Sequence, residues 1–109
     1  MANWKKPIHP GEILAEELKE IGLNPLQLAE RLFVPDNRIY HILDGKRGIT
    51  ADTALRLGRF FETGPEFWQN LQKAYELAKA YEKAGQGIKK IKPWKKPRKK
   101  KPKQAALEF

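Results

Sequence analysis

The chain has 109 residues, room for one compact domain and an appendage, with a net charge of +9 and no cysteine. Without thiols, disulfides and thiolate metal sites are excluded. No apolar run approaches the ~20 residues of a membrane helix, and no apolar core or small-residue cleavage site follows Lys5 and Lys6, so we expect a cytoplasmic protein with no signal peptide and no membrane partner.

The charge is not evenly spread. Residues 1–88 hold 12 Lys/Arg and 12 Asp/Glu, whereas residues 89–109 hold 10 Lys/Arg and one Glu. The high net charge therefore describes a tail, and only local asymmetry bears on the folded part. Arg31, Arg38, Lys46, Arg47, Arg56 and Arg59 face three acids between Arg31 and Arg59. Glu12, Glu16, Glu17 and Glu20 cluster upstream. One basic and one acidic side are expected, and the basic side points to nucleic acid.

Residues 1–9 have no periodicity and read as an extended arm with Trp4 and Ile8 packed on the domain. Pro10 opens a helix with Leu14, Leu18 and Ile21 on one face, and Gly22 closes it. His9 has no acid–base partner nearby and reads as a cap or a solvated side chain. Asn24-Pro25 starts a second, short helix with Leu28, Ala29 and Leu32 behind. Phe33-Val34 is a tight turn, and Pro35 opens a third helix with Ile39, Ile42 and Leu43 inward.

The other face of that third helix shows Asn37, Arg38, Tyr40 and His41, and a cationic loop, Gly45-Lys46-Arg47-Gly48, follows it. A short helix, apolar behind and polar in front, before a basic loop is what major-groove insertion requires: the helix meets base edges and the loop meets phosphates. Residues 24–44 thus form a helix-turn-helix. Two such helices must sit about 34 Å apart to share one face of a duplex, so we expect a homodimer.

Thr50 caps a fourth helix with Ala54, Leu57 and Phe61 inward. Thr63-Gly64-Pro65-Glu66 predicts a Thr-x-x-Glu capping box opening a fifth helix, with Phe67, Trp68 and Leu71 in the core. Tyr75 and Tyr81 on that helix are candidates for a dimer interface. Arg56 and Arg59 are expected to be solvated. The helix should fray by Gly85-Gln86-Gly87, giving an all-α domain over 10–84 and a flexible, Lys/Pro-rich tail over 85–109. In that tail Trp94 either stacks on a base or folds back on the domain. An enzyme is not expected: no HExxH and no glycine-rich phosphate loop is present, and neither histidine sits in an acid–base constellation.

His9-Pro10-Gly11-Glu12-Ile13-Leu14, Leu28-Ala29-Glu30-Arg31-Leu32, Ile42-Leu43-Asp44-Gly45-Lys46-Arg47-Gly48-Ile49-Thr50, Ala54-Leu55-Arg56-Leu57 and Pro65-Glu66-Phe67-Trp68-Gln69-Asn70-Leu71-Gln72, in that order, resemble the HigA (VapI-like) antitoxins of the Xre helix-turn-helix family. The resemblance covers about residues 8–78. It implies a five-helix, lambda-repressor-like fold with no cofactor, a dimer bound to a palindromic operator in its own promoter, and neutralisation of a HigB-type mRNA-endonuclease toxin. By position it places Asp36, Asn37, Arg38, Tyr40 and His41 at base edges, and Asn24, Lys46, Arg47 and Thr50 at phosphates.

The chain departs from the family at three points: Phe33 where the turn usually has glycine, Pro35 where Ser or Thr caps the third helix, and Pro25 where glutamine often starts the second. A stand-alone regulator without a toxin, or an RNA-binding module acting through the tail, are the alternatives this reading leaves.

Overall fold

The computed structural model describes residues 6–94. Trp4 and the expected flexible segment from residue 95 onward lie outside the described residues. Five helices follow one another, α1 (Pro10–Ile21), α2 (Pro25–Leu32), α3 (Asp36–Leu43), α4 (Ala51–Phe61) and α5 (Pro65–Lys89), and no strand occurs among the described residues. None of the helices is long and apolar enough to cross a membrane.

The helix ends follow their local chemistry. His9 caps α1 through its side chain, and Gly22 ends it at φ 73°. Asn24 and Gln27 form a reciprocal capping box at α2: the Gln27 backbone N–H donates to Asn24 Oδ1 at 2.8 Å, and the Asn24 N–H donates to Gln27 Oε1 at 2.9 Å. Thr50 caps α4 by accepting from the Thr53 N–H. Pro35 at the start of α3 supplies no side-chain cap, as its chemistry requires.

The core gathers Leu14, Leu18, Leu28, Ala29, Leu32, Ile39, Ile42, Ile49, Ala54, Leu57 and Trp68. The inward stripes of α2 and α3 are therefore those the spacing predicts. Helix α2 packs on α3, α3 on α1, and α4 on α5. The α4–α5 contact is close because Gly58 lies against the Gly64-Pro65 backbone, where a Cβ would come within 2.4 Å of the Gly64 carbonyl carbon.

Several expectations are corrected. Ile8, Ile21 and Phe67 are exposed rather than packed. The capping box at α5 does not form. Gly64 is the cap residue, and the Thr63 hydroxyl instead accepts from the buried Trp68 Nε1–H at 3.1 Å. Helix α5 also passes through Gly85 and Gly87 to Lys89. Gly85 is buried beneath the Tyr81 ring, so its missing side chain serves packing, and the chain leaves the helix only as Pro93 approaches.

The turn between α2 and α3 carries strain. Phe33 adopts φ 59°, ψ 47°, a left-handed conformation that costs a residue with a Cβ about 1–2 kcal/mol. Its ring is 86% exposed, so burial returns little. Phe33→Gly is accordingly expected to stabilise the fold by about 1 kcal/mol, seen as a higher urea midpoint at unchanged slope; an unchanged or lower midpoint would show that the turn is relaxed with phenylalanine.

Candidate nucleic-acid interface

Eight residues make α3 about 12 Å long, short enough to lie within a major groove. Ile39 and Ile42 are fully buried, which turns the opposite side outward. Asp36, Asn37, Tyr40 and His41 are all exposed there. The predicted base-reading row is thus a continuous polar surface, with one exception.

Arg38 is that exception. Its Nη1 lies 2.5 Å from Asp52 Oδ2 and 3.5 Å from Thr53 Oγ1, and its side chain is only 22% exposed. It faces α4 and is not part of the outward row, because Asp52 in the first turn of α4 captures the guanidinium. Asp52 also accepts from Arg56 Nε at 3.0 Å. Arg56 in turn donates through Nη1 to the Leu32 carbonyl at 2.8 Å and toward that of Phe33 at 3.4 Å. Arg56 is therefore not solvated as expected; it ties the strained turn to α4. The two guanidinium groups, Arg38 first and then Arg56, hold the Asp52 carboxyl below the usual carboxylate range.

The loop after α3 exposes Lys46 and Arg47 beside that row. Its backbone caps the helix: Asp44, Gly45 and Lys46 N–H groups donate to the Tyr40, Ile42 and His41 carbonyls at 2.9, 3.1 and 2.9 Å. Gly45 takes φ 76° to make this possible. Two distant segments support the loop from behind. Gln72 on α5 accepts from the Ile49 N–H at 2.8 Å and lies under Gly48, where a Cβ would meet its carboxamide at 2.7 Å. The Gln72 Nε2 group donates to Glu76 at 2.8 Å, which orients the carboxamide. At the other end, Gly11 abuts the last turn of α3, and a Cβ there would lie 2.0 Å from the Ile42 carbonyl oxygen.

His9 links the two supports. Its Nδ1 accepts from the Gly11 N–H at 2.8 Å, and its ring meets Tyr75 edge-on at 4.9 Å. Since Nδ1 is an acceptor, the ring is neutral. Tyr75, a predicted interface residue, is therefore engaged within the chain, while Tyr81 is half-buried over Gly85.

Of the expected phosphate-facing groups, Lys46 and Arg47 extend outward. Asn24 is exposed with its oxygen used in the α2 cap, which leaves the amide nitrogen outward-capable. The Thr50 hydroxyl is occupied with Thr53 at the start of α4. Sequence reasoning missed the structural roles of Gln72, Gly11 and Asp52. The only signal was that the HPG and PEFWQNLQ segments accompany the helix-turn-helix from a distance.

No known family model matches the chain. It is 52% identical over 79 residues to virulence-associated protein I of Dichelobacter nodosus, which spans 72% of this chain and 73% of that protein. A HigA-family addiction-module antidote protein from Coxiella burnetii is 54% identical and superposes with a TM-score of 0.79, covering 83% of this chain and all of the other (100%). The Pseudomonas aeruginosa antitoxin HigA, solved with the higBA promoter, is 48% identical with a TM-score of 0.76 and covers 81% and 98% of the two chains. The Coxiella protein is thus named an antidote and the Pseudomonas one an antitoxin, and neither name is that of an enzyme.

Burial, opposed by the Arg47 backbone hydrogen bond and the Glu12 charge, lowers the His9 pKa, so the fold favours the neutral ring. The corresponding stability is fully present above the ordinary histidine value of 6.5 and is lost as pH falls from there through the lower folded value. We expect wild-type stability to decline relative to His9→Asn, which keeps a cap but does not titrate, as pH is taken from about 7 to 5 in urea titrations. Parallel curves for the two proteins would contradict the neutral-ring assignment.

Proposed function

This chain belongs to the HigA-type (VapI-like) branch of the Xre helix-turn-helix family, and on that premise we propose that it binds a palindromic operator in its own promoter as a dimer and neutralises a HigB-type toxin. The observation that carries the DNA half is the outward row of Asp36, Asn37, Tyr40 and His41, presented over a fully buried Ile39 and Ile42 and continued by Lys46 and Arg47. A promoter-bound relative with 48% identity supports the same use of this surface.

In this reading Asn37 and His41 meet base edges in the major groove, Tyr40 adds an edge contact, and Asp36 accepts from a cytosine amino group. Lys46 and Arg47 grip phosphates, helped by the Asn24 side-chain amide. Thr50 works chiefly as the cap that aims α4, with its backbone next to the phosphate path.

The dimer is ascribed to α5. Leu77, Ala80, Ala84 and Ile88 recur at i, i+3, i+7 and i+11 on an exposed face, with Leu77 and Ile88 at 48% and 45% exposure. That stripe suits a symmetric contact better than Tyr75, which His9 occupies. Tyr81 borders it. Toxin neutralisation rests on family membership, and co-expression with the neighbouring open reading frame tests it: rescue from toxicity identifies an antitoxin, and no toxicity in either arm identifies a stand-alone regulator.

Two substitutions separate positioning from reading. Arg47→Ala should weaken binding to every duplex alike and reduce the salt slope by about one phosphate contact. Asn37→Ala should cost ~1–3 kcal/mol on the operator and leave scrambled DNA nearly unchanged in a gel-shift titration. Equal losses on both duplexes for Asn37→Ala would remove it from the base-reading set.

A further inference from the structure

Arg38 stands on the first turn of α3, next to Asn37, where an extended guanidinium would reach any nearby phosphate. Asp52 prevents this. The carboxylate holds Arg38 at 2.5 Å and Arg56 at 3.0 Å, and it is itself half exposed, two residues after Thr50. Arg56 has further partners in the Leu32 and Phe33 carbonyls, so removing Asp52 leaves it anchored. Among the described residues, Arg38 has the Thr53 hydroxyl at 3.5 Å as its one other side-chain partner. Asp52 is therefore the main restraint on Arg38, whereas Arg56 is anchored without it.

We propose that Asp52 is a specificity-determining residue: by latching Arg38 against α4 it withholds one cation from indiscriminate phosphate binding and leaves recognition to Asn37, Tyr40 and His41. This inference rests on the DNA-binding reading above. The physical reason is that a cation on phosphate adds affinity for all sequences equally, whereas base contacts add it only for the correct one. A free arginine at the mouth of the groove raises the background against which the operator must compete. Held by Asp52, it instead fixes the tilt of α3 relative to α4, so Asp52 acts on the reading face through Arg38 without itself meeting a base.

The experiment measures binding of the full chain to its own promoter fragment and to a scrambled duplex across a salt series, for wild type and variants that pass a thermal-melt check. Asp52→Asn is expected to tighten scrambled-duplex binding roughly three- to tenfold and to steepen its log–log salt slope by about 0.9, the value of one phosphate contact, while the operator gains less. Asp52→Glu, which can keep the ion pair, should behave as wild type. Arg38→Gln in the Asp52→Asn background should abolish the gain. Asp44→Asn removes an exposed carboxylate at the end of α3 without releasing an arginine, and should leave the scrambled-duplex slope near wild type.

If Asp52→Asn does not change the scrambled-duplex slope, or if Asp44→Asn changes it equally, the latch is overturned. If the wild type already shows no preference for its promoter fragment, the DNA-binding reading fails first, and the two failures are told apart by that control.

Discussion

The polar face of α3 depends on a contact made on its far side, where the α1 backbone at Gly11 meets the Ile42 carbonyl. No side chain fits between them, so α1 and the end of α3 stand at backbone contact and the helix cannot slide along its axis. Ile39 and Ile42 then set its rotation by burial. With translation and rotation both determined from behind, four polar side chains can be presented outward in a defined order. A reading surface needs this separation, since side chains that hold the structure cannot also exchange partners with DNA.

The loop that follows obeys the same logic by different means. It has no repeating hydrogen bonds of its own, and its N–H groups are spent on closing α3. Part of what remains is satisfied from elsewhere: Gln72 from α5 accepts from the Ile49 N–H. Gly48 is bare so that Gln72 can approach. Lys46 and Arg47 thus project from a segment clamped at both ends, which limits the conformational entropy they must lose on meeting phosphate.

Charge is managed as carefully as shape. The part of the chain up to residue 88 carries no net charge, so attraction to DNA has to come from placement. Asp52 draws two arginines of the basic side into intrachain pairs, while Lys46 and Arg47 stay outward. The strained turn at Phe33 is served by the same group of residues, because Arg56 satisfies carbonyls that the left-handed conformation leaves at the end of α2. Turn, fourth helix and third helix are consequently one electrostatic unit.

Periodicity, caps and turn residues determined the five helices, the buried stripes of α2 and α3, the outward row on α3 and the basic loop after it, because these depend on neighbours within a few positions. The phenylalanine in the turn and the proline at the start of α3 were legible for the same reason: Pro35 supplies no side-chain cap, and Phe33 takes the left-handed conformation against its own preference. Tertiary structure alone decided which way Arg38 points, that Arg56 is bonded, that Tyr75 faces His9, that Gly64 displaces Thr63 as a cap, and that α5 continues through two glycines. Each of those outcomes turns on a partner that folding brings alongside, a carboxylate fourteen residues away or an aromatic ring over a bare backbone. Local sequence specifies what a side chain is able to bond; only the packed chain settles which of its possible partners arrives within reach.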